Sequence, residues 1–445
     1  MKKNVLQKDN AIWIFILIIF FTSSCSVSKQ ISGLAQKDVL ETPALKNAHV
    51  GICIYDPATQ KYLYNFQSDK YFIPASNTKI STCYVAMKYL GDSLPGLQYS
   101  VKDNQYFIQA TGDPTFMTQE FSYQPVFDFF KNLPDGAIVK YATDNWQDTH
   151  WGAGWSWGDY TEYYMAERSP FPIYGNMMSL YRQGESIKTI PSFFERDVKF
   201  APGAEAKNAI INRRLDDNTF TITKGNEPFE KSEMPFVTDG FSTTLSLLPD
   251  TLHKALDFVP VQGNLPAISN PVMIYSQPTD AMLKPLMHRS DNFYAEQSLM
   301  MVSQKLLGVM NDRKIIQHIL QTDFKDLPQR PSWADGSGLS RYNLFTPQDI
   351  VAILQKMKDE FGMPRIQTIF ETGGEGTIRN YYKEEKGFIY AKTGTLNGVV
   401  AFSGFLTTKK GKHLIFSTLV NNHNASTTDV RKAVEKFLRT IRNDY

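Results

Sequence analysis

Three short strings constrain this chain more than anything else in it: Ser76-Asn77-Thr78-Lys79, then Ser290-Asp291-Asn292, then Lys392-Thr393-Gly394. A serine hydroxyl is a poor nucleophile near neutral pH. An acylating serine therefore needs an adjacent base, a polar relay and donors for the oxyanion it creates. The strings hold a candidate for each part, on condition that the fold brings distant segments to one place.

Their local settings suit that condition. Ser76 opens Ser76 to Leu90, whose apolar residues fall at helical spacing, so Lys79 lies one turn on, on the same helix face. From there its amine can take the Ser76 proton if burial or a second cation lowers its pKa, and Lys392 is the obvious second cation. Lys392 to Thr395 end the apolar run Gly387 to Ala391, which reads as a strand. Strand candidates Val399 to Thr407 and His413 to Val420 follow, then an amphipathic helix from Thr427 to Ile441. The expectation is an antiparallel sheet packed under a C-terminal helix. Thr395 N–H at the sheet edge and Ser76 N–H at a helix start would make an oxyanion hole. Ser290 and Asn292 fall in a loop between helical stretches Asp280 to Met287 and Tyr294 to Leu306.

The pattern S-x-x-K with S-D-N and K-T-G is the signature of penicillin-binding proteins and serine β-lactamases. A second S-x-x-K, Ser26-Val27-Ser28-Lys29, lies just behind the N-terminal apolar segment with no helix to follow, and is read as a decoy. Four longer strings narrow the likeness: Pro74 to Lys79, Ser290 to Glu296, Asp335-Gly336-Ser337-Gly338-Leu339-Ser340-Arg341, and Lys392 to Leu396. With Gly112 to Thr115 and Gly154 to Trp157, they resemble the D-alanyl-D-alanine carboxypeptidase/endopeptidase family, the class C low-molecular-mass penicillin-binding proteins. The resemblance runs from about residue 45 to the C-terminus.

It implies an α/β chain of the α+β type with the penicillin-binding protein/serine β-lactamase-like transpeptidase fold. It also implies roles. Ser76 would be the acylated nucleophile, Lys79 its general base, and Ser290 with Asn292 the relay. Lys392 and Thr393 would hold the terminal carboxylate of a peptide or β-lactam, with Gly394 and Thr395 completing the substrate-facing segment. The activity implied is trimming of D-Ala-D-Ala ends or cutting of cross-links in peptidoglycan stem peptides, with β-lactams as inhibitors. A serine β-lactamase and a non-turning-over β-lactam sensor or scaffold are the alternatives, and no cofactor is implied.

The gap from Ser76 to Ser290 exceeds what a simple β-lactamase core needs, so a large insertion of mainly β character is expected over residues 98–272. Short strand candidates there include Gln105 to Ala110, Ala137 to Ala142 and Thr219 to Thr223. Residues 25–97 and 273–445 would then form the peptidase domain.

At 445 residues with 42% hydrophobic content, the chain can build a large core and more than one domain. A formal net charge of +2 gives no argument for nucleic acid. Lys2, Lys3 and Lys8 precede the apolar run Ala11 to Phe21, which is short for a membrane span and suits a signal peptide over residues 1–24. Thr22-Ser23-Ser24-Cys25 then resembles a lipoprotein processing site, with Thr22 where an aliphatic residue is commoner. An exported, periplasmic protein held to a membrane through lipid on Cys25 is the expectation.

Cys53 and Cys83 read as buried free thiols. The histidines show neither H-x-x-x-H nor Cys/His clusters, so no metal is expected. Gly154-Trp155-Ser156-Trp157-Gly158 matches the G-x-S-x-G nucleophile elbow, but the polar stretch Asn145 to Ala153 offers no strand to deliver it, and Ser156 reads as a loop serine. Asp335 to Arg341 reads as a structural turn outside the catalytic set.

Overall fold

The apolar runs near the C-terminus pair as the sequence pattern demands. The structure, a computed structural model, describes residues 28–183, 186–203, 207–223, 225, 227, 230–262 and 271–445. The expected signal segment and Cys25 lie outside the described residues. The chain divides into two compact units: Met1–Asn77, Leu327–Pro331 and Leu344–Tyr445 form one, Thr78–Asp326 and Ser332–Asn343 the other.

In the first unit a six-stranded antiparallel sheet runs in the order Glu371–Thr372, Ile389–Leu396, Val399–Thr407, His413–Asn421, His49–Asp56, Lys61–Phe66. Val399–Thr407 and His413–Asn421 are buried on both faces, which explains why they read as continuous apolar runs rather than alternating ones. One face packs on the helix Thr427–Asp444, whose Val430, Val434, Phe437, Leu438 and Ile441 recur at helical spacing and share a core with Ile52, Ile54, Val400, Phe402 and Phe416. Ser426 caps that helix, its hydroxyl accepting from Asp429 N–H. On the other face Phe72 packs with Ala401 and Leu419.

In the second unit the helices Thr78–Tyr89 and Asn292–Leu307 are almost wholly buried. A five-stranded sheet runs Leu256–Val261, Ala137–Ala142, Gln105–Ala110, Ser93–Lys102, Val272–Pro278. Two three-stranded sheets and the helices Pro125–Asn132 and Ser242–Leu252 complete most of the region expected as an insertion. Its core is aromatic-rich, with Phe116, Phe130, Phe171, Phe194, Phe220 and Phe236 buried together. The strands at Gln105–Ala110 and Ala137–Ala142 have the expected bounds, and the third begins at Phe220. Cys53 and Cys83 are both buried, and neither is in a disulfide. Burial pushes the Cys53 thiol well above its ordinary range, so it is inert.

Candidate active site

Ser76 sits in a tight backbone frame within the first unit. The segment leading to it is pinned at Phe72, which exchanges backbone hydrogen bonds with Phe345 at 2.9 and 3.0 Å. It is pinned again at Ile73, whose N–H and carbonyl are both taken by the Asn421 side chain, at 2.7 and 3.0 Å. The chain then turns through Ala75 at φ +47°, a left-handed conformation that costs an alanine roughly 1–2 kcal/mol. This leads into the 3-10 turn Ala75–Asn77, with Ser76 half-buried at its centre.

The K-T-G segment lies directly against this turn. Asn77 Nδ2 donates to the Lys392 carbonyl at 2.8 Å. A Cβ placed on Gly394 would stand 2.7 Å from Pro74 O and 3.0 Å from Ser76 N, so only glycine lets the strand approach this closely. The strand Ile389–Leu396 contains Lys392 to Thr395 in its interior, whereas the sequence pattern placed them at a strand end. Its partner Glu371–Thr372 pairs only with Ala391 and Tyr390. Beyond Ala391 the outer edge has no strand partner among the described residues, which leaves backbone donors and acceptors for an extended ligand.

Lys392 is fully buried, and its Nζ donates to the Thr393 carbonyl at 2.9 Å. Burial brings its ammonium down to about 8, against the opposing pull of Glu371 and with a smaller push from Arg431. Burial likewise raises the Glu371 carboxyl, opposed by Lys392 and by bonds from Thr377. Thr377 Oγ1 reaches both Glu371 and, at 2.6 Å, Thr393 Oγ1. Glu371 and Thr377 thus sit behind the K-T-G side chains, and no motif announced them. Thr395 is exposed, its hydroxyl accepting from Arg431 at 2.8 Å.

The 3-10 turn runs without a break into the helix Thr78–Tyr89, and Lys79 is that helix's second residue. Within the second unit Lys79 has no exposed surface. Its Nζ donates to Asn292 Oδ1 at 2.6 Å and to the Ser337 carbonyl at 2.7 Å. Asn292 in turn donates to the Tyr164 carbonyl at 2.9 Å. Asn292 is not in a loop, as expected from sequence, but is the first residue of the helix Asn292–Leu307. Asp291 is the reason: its carboxylate accepts from Tyr294 N–H at 3.0 Å and starts the helix earlier than the apolar pattern alone. Ser290 stays in the preceding loop, half-buried, at φ +59°.

The Asp335 to Arg341 turn, read from sequence as purely structural, supplies the second acceptor of Lys79 through Ser337. Ser156 lacks the setting of a nucleophile elbow. Residues 147–156 are turn and irregular backbone, so no strand delivers it, and neighbouring Trp155 donates to Asp335 at 2.9 Å. Among the described residues no His, Cys, Asp and Glu side chains gather as a metal site.

With this geometry in view, the relatives can be compared. Residues 34–441 match the D-Ala-D-Ala carboxypeptidase 3 (S13) family. The chain belongs to that family. It is 25% identical to the D-alanyl-D-alanine carboxypeptidase of Actinomadura sp. (strain R39), over 86% of this chain and 80% of that protein. It is 23% identical to D-alanyl-D-alanine carboxypeptidase DacB of Haemophilus influenzae, over 100% of this chain and 98% of that protein. Among solved structures, penicillin-binding protein 4 (dacB) of Haemophilus influenzae superposes with a TM-score of 0.69 at 21% identity, covering 92% of this chain and 98% of that one. That likeness carries the fold: the S13 chain has the α/β penicillin-binding protein architecture that the motifs implied. As a member of the S13 family it is a serine peptidase of the D-Ala-D-Ala carboxypeptidase type.

Proposed function

We propose that this S13 chain hydrolyses D-Ala-D-Xaa bonds of peptidoglycan stem peptides through an acyl-enzyme on Ser76. The observation that carries the proposal is the packing of Gly394 against Pro74 and Ser76, which sets the K-T-G edge beside the nucleophile's own N–H. A peptide laid along that edge would have its scissile carbonyl polarised by Ser76 N–H and Thr395 N–H. Lys392 and Thr393 would take its terminal carboxylate, with Ser290 and Asn292 as relay.

In the forward step Ser76 Oγ attacks the carbonyl carbon while its proton passes to Lys79. The proton then goes to the departing D-amino group as the C–N bond breaks. Water attacks the ester with Lys79 again taking a proton, which frees the peptide acid and restores Ser76. A β-lactam would acylate the same serine and leave slowly. Support comes from the relatives, which are named carboxypeptidases, and from penicillin-binding protein 4 of Haemophilus influenzae, which has been solved with a β-lactam bound.

Intact-mass spectrometry after benzylpenicillin, followed by assay of D-Ala release from a D-Ala-D-Ala peptide, tests this. One stable adduct on Ser76 together with D-Ala release supports the proposal. Rapid turnover of the penicillin without D-Ala release would favour a β-lactamase, and an adduct without any turnover a sensor.

The same proposal places the protein outside the cytoplasm as a lipoprotein, on the strength of the basic and apolar N-terminal residues and the small residues before Cys25. Metabolic labelling with palmitate should mark the wild type and not Cys25→Ala. An unlabelled wild type would refute the anchor.

A further inference from the structure

Behind Lys79 lies a buried chain of contacts that the proposed mechanism does not use. The Ser337 carbonyl accepts from Lys79, while the Ser337 N–H donates to Glu296 Oε1 at 2.7 Å. The preceding carbonyl, Gly336 O, accepts from Thr82 Oγ1 at 2.6 Å. Thr82 stands three residues after Lys79 on one helix, and Glu296 four after Asn292 on the other, so each helix holds the turn beside the residue it presents to Nζ. A Cβ on Gly336 would lie 2.7 Å from Ala295 O, so the turn is seated as close to the Glu296 helix as a backbone can come.

The far side of Glu296 is also fixed. Arg168, from the region expected as an insertion, approaches Glu296 Oε2 at 3.5 Å and bonds Asp312 at 2.7 Å and Asp148 at 2.9 Å. Asp335 anchors the turn itself, accepting from Gly338 N at 2.8 Å and from Asn343 Nδ2 at 2.7 Å. The charged groups that act most strongly on Glu296 are Asp335, Arg168 and Asp312. Burial first, then Asp335, lift its carboxyl to about 7, opposed by Arg168.

We infer that Glu296 is a positioning residue for Lys79: through the Ser337 peptide it orients the carbonyl that holds the Lys79 ammonium, and its negative charge favours that ammonium. The inference rests on Lys79 being the base for Ser76. A charge at Glu296 serves that base at a distance, and it ties the inserted region to the site through Arg168. Exposed surface side chains play no part in it.

The test is Glu296→Gln in the full chain, which keeps an oxygen for Ser337 N–H and removes the charge. Benzylpenicillin acylation is followed from about pH 5 to 9, with the rate constant separated from the dissociation constant of the initial complex. The expected result is a fall of about tenfold or more in the acylation rate constant with initial binding little changed, because a small misplacement of a base is costly. The ascending limb of the rate should also move to lower pH, since loss of a nearby negative charge makes Lys79 easier to deprotonate. A folded variant with the wild-type rate and the wild-type limb overturns the inference. Should Glu296→Gln fail to fold, Glu296→Asp decides: it keeps the charge but draws the carboxylate back from Ser337 N–H and should lower the same rate constant, and an unchanged rate there overturns the inference. A wild-type protein that benzylpenicillin does not acylate sinks the underlying reading instead.

Discussion

Lys79 Nζ donates to Asn292 Oδ1 at 2.6 Å, joining the first motif to the second across 213 residues of sequence. An ammonium with no exposed surface is costly unless hydrogen-bonded, and here a side-chain amide and the Ser337 carbonyl both accept from it. Both of these acceptors are neutral oxygens, and they hold the amine in place.

Lys79→Ala should lower the rate of acylation by benzylpenicillin by about 10²–10⁴-fold, the usual contribution of a positioned base. Stopped-flow competition with a chromogenic β-lactam would measure it. A variant within a few-fold of wild type would remove Lys79 from the mechanism.

Ser76→Ala should abolish the covalent adduct, and Ser156→Ala should leave it intact, as read by intact mass. The reverse pattern would relocate the nucleophile to the G-x-S-x-G string.

Gly394→Ala places a methyl 2.7 Å from Pro74 O and 3.0 Å from Ser76 N, both backbone atoms that cannot swing aside. Overpacking of this kind costs about 1–3 kcal/mol, visible in the denaturation midpoint, and the acylation rate should fall along with it as the strand is pushed from the serine. Wild-type acylation in this variant would show that the close approach is dispensable.

The ammonium of Lys392 is present below about 8 and is lost as pH rises through that value. Capture of a substrate carboxylate should therefore weaken above about pH 8, giving a descending limb in kcat/KM for a D-Ala-D-Ala peptide. Folding stability runs the other way: between about 8 and the ordinary lysine value of 10.5 the unfolded chain holds the proton more firmly, so stability rises with pH from this group. Glu371→Gln removes the charge that supports the ammonium and should shift the descending limb to lower pH. An unmoved limb would show that another group titrates.

Phe437 is fully buried in the core shared by the C-terminal helix and the sheet. Phe437→Ala should destabilise the protein by about 3–5 kcal/mol in chemical denaturation, through lost transfer energy and the cavity left behind.

The family and much of the local structure could be read from the amino-acid sequence. Ser76, Lys79 and Lys392 were legible because an acylating serine needs those residue types at those spacings. The strands Val399–Thr407 and His413–Asn421 were legible because apolar content and period are local properties of the chain. Asn292 was assigned to a loop because the helical pattern was read from Tyr294 onward, and the capping carboxylate of Asp291 outweighed it. Tertiary structure alone decided the surroundings. Ser337 contributes a backbone carbonyl, which every residue has, and Glu371, Thr377 and Glu296 are marked out only by the partners that the fold brings to them. No spacing rule encodes burial or a contact between segments far apart in the chain. The division into compact units between Asn77 and Thr78, one residue past Ser76, belongs with these, because compactness is a sum of long-range contacts and the sequence records only neighbours.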